Sequence, residues 1–167
     1  VRSTPDAPTA AVAELTLAAM LVLLRQIVPM TADLHAGRWT RLVGAQIEGK
    51  TVAVVGFGRI GRRVGRLLLA FGARVIAVDP QVDAVDPPIE LASLSAALPL
   101  ADVVALHASG EGMILGKEEL LRLKRGALVL NAGRGGQLDE RALCEALDSG
   151  HLAGAWLDTY GDEPYSG

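Results

Sequence analysis

Three glycines in the run Gly56-Phe57-Gly58-Arg59-Ile60-Gly61 are spaced for chemistry: they follow the apolar stretch Thr51 to Phe57 and open a helical pattern. At this spacing the first glycine suits a tight turn, the second lets backbone approach a pyrophosphate, and the third permits close helix–strand packing. The helix start adds free N–H groups and a positive dipole end for the phosphates. Glycine-rich turns also serve as plain connectors, so the strand–turn–helix context carries the reading. Eighteen residues beyond Gly61 a second apolar run ends in Asp79, where a carboxylate can accept hydrogen bonds from adenosine ribose hydroxyls. Asp before proline is also a common turn former. A carboxylate there repels a 2′-phosphate, and Pro80-Gln81-Val82-Asp83 offers no arginine to receive one. NAD is therefore expected over NADP.

Further polar residues fall where apolar runs end: His107, then Asn131 and Arg134, then Asp158, with Glu163 just beyond. In an open α/β sheet, ligands sit outside the carboxyl ends of the strands. Polar groups at successive strand ends, with apolar strand interiors, form the constellation of a site. Arg134 stands between Gly133 and Gly135, which leave its guanidinium uncrowded; its planar fork matches a carboxylate. Spacing alone leaves two readings of Arg134 open, a substrate-holding group and a solvated loop arginine.

The elements that must position these residues alternate in type. Residues 1–8 read as an extended lead-in, and Thr9 to Val28 as a helix with Pro29 as its breaker. Its apolar residues cover nearly the whole circumference, so two partners are expected to bury it, and a homodimer through this helix is the expectation. From Lys50 onward come the run Thr51 to Phe57, helix Arg59 to Phe71, run Arg74 to Asp79 and a proline-rich loop through Pro88. Then follow helix Ser93 to Leu98, strand Asp102 to His107, helix Lys117 to Leu123, strand Ala127 to Asn131, helix Asp139 to Leu147 and strand Leu152 to Tyr160. This order predicts an α/β fold with a doubly wound parallel sheet of Rossmann type.

Bulk properties agree. Half of the 167 residues are hydrophobic and 4% are aromatic, a composition for helices packed closely on a parallel sheet. A net charge of −3 with interspersed signs gives no basic stripe, so neither nucleic acid nor an anionic membrane is an expected partner. The apolar stretch Leu15 to Leu24 is too short to span a bilayer. The single cysteine, Cys144, excludes an internal disulfide, is read as a core residue of its helix, and with the absence of a leader pattern leads to a cytoplasmic expectation. No metal site is expected. Because the chain begins at Val1 and stops at Gly167, it is expected to be a fragment: one nucleotide-binding domain spanning 1–167, with a substrate domain and a last sheet strand absent.

These residues together resemble a known family. Gly49-Lys50-Thr51 into the glycine hexapeptide, Asp102 through His107, Asn131 through Asp139, Ser149 through Asp158, Glu163-Pro164 and Val12-Ala13-Glu14 are similar, in this order, to the NAD-binding domain of D-isomer-specific 2-hydroxyacid dehydrogenases, the nearest likeness being to the phosphoglycerate dehydrogenases. The resemblance implies that the backbone at Arg59 and Ile60 meets the pyrophosphate and that Asp79 binds the ribose. It places His107 and Ala108 beside the cofactor, Ala132 and Gly133 on its nicotinamide side, and Asp158 at the carboxamide. It makes Arg134 the catalytic arginine that holds a substrate carboxylate and polarises its 2-oxo group. Glu163 becomes the acid that pairs with the catalytic histidine, which in the family lies beyond it, outside these 167 residues. The implied activity is hydride transfer between NAD(H) and a D-2-hydroxy or 2-oxo acid, 3-phosphoglycerate being the nearest guess, with little turnover from this segment alone. Two alternatives stand beside it: a non-enzymatic NAD(H)-sensing or dimerisation module, and a Rossmann domain that has lost its ligand.

Overall fold

Short runs of apolar, mostly β-branched residues become the central strands, because buried on both faces they need no polar alternation. The computed structural model describes residues 7–164. Its strands are β1 (Thr51–Val55), β2 (Arg74–Val78), β3 (Glu90–Leu91), β4 (Val103–Leu106), β5 (Ala127–Asn131) and β6 (Leu152–Leu157). They form one six-stranded parallel sheet in the order β3-β2-β1-β4-β5-β6. The fold is thus the doubly wound α/β sheet that the alternation predicts, with its reversal of strand order between β1 and β4.

The helices are α1 (Ala7–Leu24), α2 (Ile27–His35), α3 (Arg59–Ala70), α4 (Leu94–Ala97), α5 (Lys117–Arg122) and α6 (Glu140–Asp148). Alternate strand residues face opposite layers. Val52, Val54, Val75, Ala77, Leu128 and Leu130 pack with Ala13, Leu17, Met20, Val64 and Leu68 of α1 and α3. Ala53, Val55, Ile76, Val104, Leu106 and Val129 pack instead under Leu120, Leu143 and Ala146 of α5 and α6.

Four expectations require correction. The first helix is not one element from Thr9 to Val28: it begins at Ala7, ends at Leu24, and restarts as α2 after Gln26 turns left-handed at φ 56°. Pro29 lies inside α2 rather than ending a helix, because the third residue of a helix has no intrahelical N–H bond to lose. Residues 1–6 of the expected extended lead-in lie outside the described residues. Second, the segment after the proline-rich loop holds strand β3, whose two exposed residues carry no pattern; Arg74 binds Glu90 through both carboxylate oxygens at 2.7 and 2.6 Å and ties it to β2. Third, β6 ends at Leu157, not Tyr160. Fourth, Cys144 is exposed: the buried face of α6 is Ala142, Leu143 and Ala146, and Cys144 falls off it.

No single helix among the described residues is long and apolar enough to cross a membrane. On α1, Ala13, Thr16, Leu17 and Met20 are buried, whereas Leu15 is 42% exposed.

Candidate functional site

The carboxyl ends of five strands are stitched together beyond their ladders. Gly56 N–H donates to Val78 O at 2.8 Å, His107 N–H to Val55 O at 2.7 Å, Ala132 N–H to Leu106 O at 3.1 Å, and Asp158 N–H to Asn131 O at 2.8 Å. The residues after β2, β1, β4, β5 and β6 therefore form one continuous rim. Gly56, Asp79, His107, Ala132 and Asp158 all lie on it, with Arg134 on the same loop as Ala132.

The strand order reverses between β1 and β4. Gly56 has φ 88°, and a Cβ there would overlap the Ala108 backbone, so turn and close approach both demand glycine. A Cβ at Gly61 would overlap the Gly56 carbonyl, which sets how closely α3 approaches the turn. At Gly58 a Cβ would meet nothing within 4 Å; that glycine leaves open space above the first turn of α3. Gly58 is the N-cap of α3, so no cap side chain covers the first-turn amides. The tight turn at Gly56 and the close approach at Gly61 are as expected, and Gly58 lies open.

Asp79 closes this turn. Its Oδ2 accepts the Phe57 N–H at 2.7 Å and its Oδ1 the Gln81 N–H at 2.9 Å. A carboxylate has about four acceptor positions, so room remains for ribose hydroxyls. Across the cleft, both ring nitrogens of His107 are buried without a hydrogen-bond partner. Burial alone lowers its pKa to about 4, which makes the ring neutral at pH 7 with one donor and one acceptor unspent. Open space over α3, a carboxylate beside the glycine turn and an orphaned imidazole together fit a polar dinucleotide.

The Arg134 loop is built from Asn131. Its fully buried side chain accepts the Gly133 N–H at 3.0 Å and donates to Arg134 O at 3.2 Å. Arg134 itself is exposed. A Cβ at Gly135 would overlap the Tyr160 carbonyl, and Thr159 Oγ1 donates to Gly133 O at 3.4 Å, so this loop rests on the segment after β6. There Glu163 is exposed and its Oε1 accepts the Tyr160 N–H at 3.0 Å. His151, at the amino end of β6 and so away from the rim, contacts Leu120 O at 3.1 Å. Trp156 is partly buried against the α1/α3 layer. Sequence reasoning missed Gln137, a buried amide joining two loops of the rim; its only sequence signal is a polar residue next to the buried Leu138.

A sequence profile of the D-isomer specific 2-hydroxyacid dehydrogenase NAD binding domain matches residues 17–167. The chain belongs to this family. Hydroxypyruvate reductase of Thermotoga maritima is 37% identical over 98% of the chain, which spans 55% of that protein. D-3-phosphoglycerate dehydrogenase of Mycobacterium leprae is 42% identical over 95% of the chain and 32% of its own length. The D-lactate dehydrogenase of Lactobacillus jensenii, solved with NAD+, superposes with a TM-score of 0.89 at 31% identity, over 96% of this chain and 51% of that one. The 2-hydroxyacid dehydrogenase family uses NAD as its cofactor, and this chain corresponds to the part of its members that binds it.

Proposed function

We propose that this chain is the NAD(H)-binding part of an oxidoreductase that interconverts a D-2-hydroxy acid and its 2-oxo acid. The observation that carries the reading is the continuous rim, which joins the glycine turn at the β1/β4 reversal to the Arg134 loop through main-chain hydrogen bonds. In this reading the amides at Gly58, Arg59 and Ile60 hold the pyrophosphate with the α3 dipole behind them. Asp79 receives the ribose hydroxyls. His107 and Ala108 line the cofactor's flank, Ala132 and Gly133 its nicotinamide side, and Asp158 takes the carboxamide.

Bound NADH supplies the hydride for the carbonyl carbon of the 2-oxo acid. Arg134, exposed and planar, grips the substrate carboxylate as a bidentate pair and polarises the 2-oxo oxygen. Its charge stabilises the negative charge that grows on that oxygen, where a pre-set cation acts most strongly. As the family resemblance implies, Glu163 would pair with the proton-donating histidine, and an opposite charge beside an imidazolium raises its pKa. Hydroxypyruvate and 3-phosphohydroxypyruvate are the substrates to try first, given the names of the relatives.

The test is NADH-dependent reduction of these acids by the full-length protein, followed at 340 nm. Arg134→Gln should lower kcat/KM for the oxo acid about a hundredfold, the scale of losing a charge-assisted bidentate pair, while the NADH Kd stays within threefold. A wild-type protein that binds NADH yet reduces neither acid nor any other 2-oxo acid would overturn the reading.

A homodimer belongs to the same proposal. Leu15, Ile27, Val28, Leu34, Trp39 and Val43 are exposed, Trp39 at 85% and Val43 at 96%, and all lie in or just after α1 and α2. So concentrated an apolar strip marks an interaction surface. Val28→Asp with Trp39→Glu should convert a dimer to a monomer in sedimentation velocity; a wild-type monomer at 100 μM would refute it. The cytoplasm, where a lone exposed thiol stays reduced, is the compartment proposed.

A further inference from the structure

Gln137 is 1% exposed, and its side-chain amide reaches both loops that flank the cleft. Its Nε2 donates to Ala108 O at 3.1 Å and to Gly110 O at 2.6 Å, in the loop leaving β4. Its Oε1 accepts the Arg134 N–H at 3.3 Å. Both amide donors and one acceptor position are thereby used. The far end of the same loop is attached to the same residue, since Ile114 N–H and Leu115 N–H both donate to Gln137 O at 2.9 Å. Gly133 completes the fit: a Cβ there would stand 2.6 Å from Gln137 Oε1 and 2.9 Å from Ala108 O.

We propose that Gln137 is a positioning residue, whose amide fixes the loop over residues 108–115 against the backbone of Arg134 and so sets where the guanidinium meets the substrate carboxylate. The inference rests on the dehydrogenase reading above. No other side chain could make these bonds at this length. Glutamate keeps the acceptor for Arg134 but has no donor for the two carbonyls, and methionine keeps the shape and loses all three bonds. Gly110 is exposed, so its carbonyl can turn to water, and the sheet core does not depend on the amide.

The test compares wild type, Q137M, R134K and the double variant in the full-length protein, each with NADH affinity and oxo-acid kinetics. Q137M should raise the KM of the oxo acid tenfold or more, lower kcat less, and leave the NADH Kd within threefold. In the R134K background the same change should cost less than twofold, because the group it positions is already altered. A merely structural role would give equal losses in both backgrounds, and that result overturns the proposal, as does a Q137M enzyme with wild-type kinetics. If Q137M does not fold, Q137E carries the same comparison. Wild type alone decides the dehydrogenase reading: an active wild type with an additive cycle leaves that reading standing and removes only the role of Gln137, whereas an inactive wild type removes both.

Discussion

At the scale of single residues, the glycine turn separates what folding needs from what binding needs. Gly61 has no space for a side chain beside the Gly56 carbonyl, whereas Gly58 opens on nothing within 4 Å. Gly61→Ala should therefore destabilise the fold by about 1–3 kcal/mol, the usual range for overpacking, seen as a lower urea midpoint. Gly58→Ala should leave that midpoint nearly unchanged and weaken NADH at least tenfold, because its methyl occupies the space left for phosphate. Equal effects of the two on stability would contradict the division. His107 adds a pH signature. Burial lowers its pKa from the usual 6.5 to about 4, so the unfolded chain binds the extra proton first. Stability from this group is complete above pH 6.5 and is lost as pH falls toward 4, by up to about 3 kcal/mol at 1.36 kcal/mol per unit. The urea midpoint of wild type should fall relative to that of His107→Gln as pH drops through that window; parallel curves would show that the imidazole does not stay buried and neutral.

At the scale of elements, the positions of the loops depend on how the helices start. Asp139 caps α6, its Oδ1 accepting the Ala142 N–H at 3.0 Å, and this fixes the helix directly after the Arg134 loop. Asp139→Ala should cost about 1 kcal/mol, measured by chemical denaturation, and Asp139→Asn should restore most of it. The five longer strands were legible in the sequence, since runs like Val52 to Val55 and Val103 to Leu106 have no polar interruption to compete with strand formation. What escaped was short or locally neutral. Glu90 and Leu91 make a strand only because Arg74 and the neighbouring ladder hold them, which is tertiary information. The break at Gln26 has no glycine or proline to announce it, while Pro29, which looks like a terminator, sits harmlessly in a first turn. In the site, the places of Gly56, Asp79, His107, Arg134 and Asp158 on one rim were legible because each falls where an apolar run ends. Gln137 was not, because its partners Ala108 and Gly110 lie 29 and 27 residues away and only the fold brings them together.

At the scale of the whole molecule, the sheet is what makes cofactor binding and stability one equilibrium. The proposed NAD contacts come from segments spread between Gly56 and Asp158, each attached to the end of a different strand, so an unfolded chain cannot present them. A ligand that binds only the folded state stabilises it by about 2.7 kcal/mol at a concentration of 100 Kd. For a domain of this size, 1 kcal/mol shifts Tm by roughly 2–4 °C, so saturating NADH should raise Tm by about 5–11 °C. NADPH should do much less at the same concentration, because its 2′-phosphate would meet Asp79, whose carboxylate is held in place by Phe57 N–H and Gln81 N–H. A tenfold or larger difference in affinity would separate the two shifts by about 1.4 kcal/mol or more. In Asp79→Ala the gap should narrow from both sides, NADH losing an acceptor and NADPH losing a repulsion. Thermal denaturation with each nucleotide checks this directly, and equal shifts from NADH and NADPH in the wild-type protein would show that Asp79 does not face the ribose.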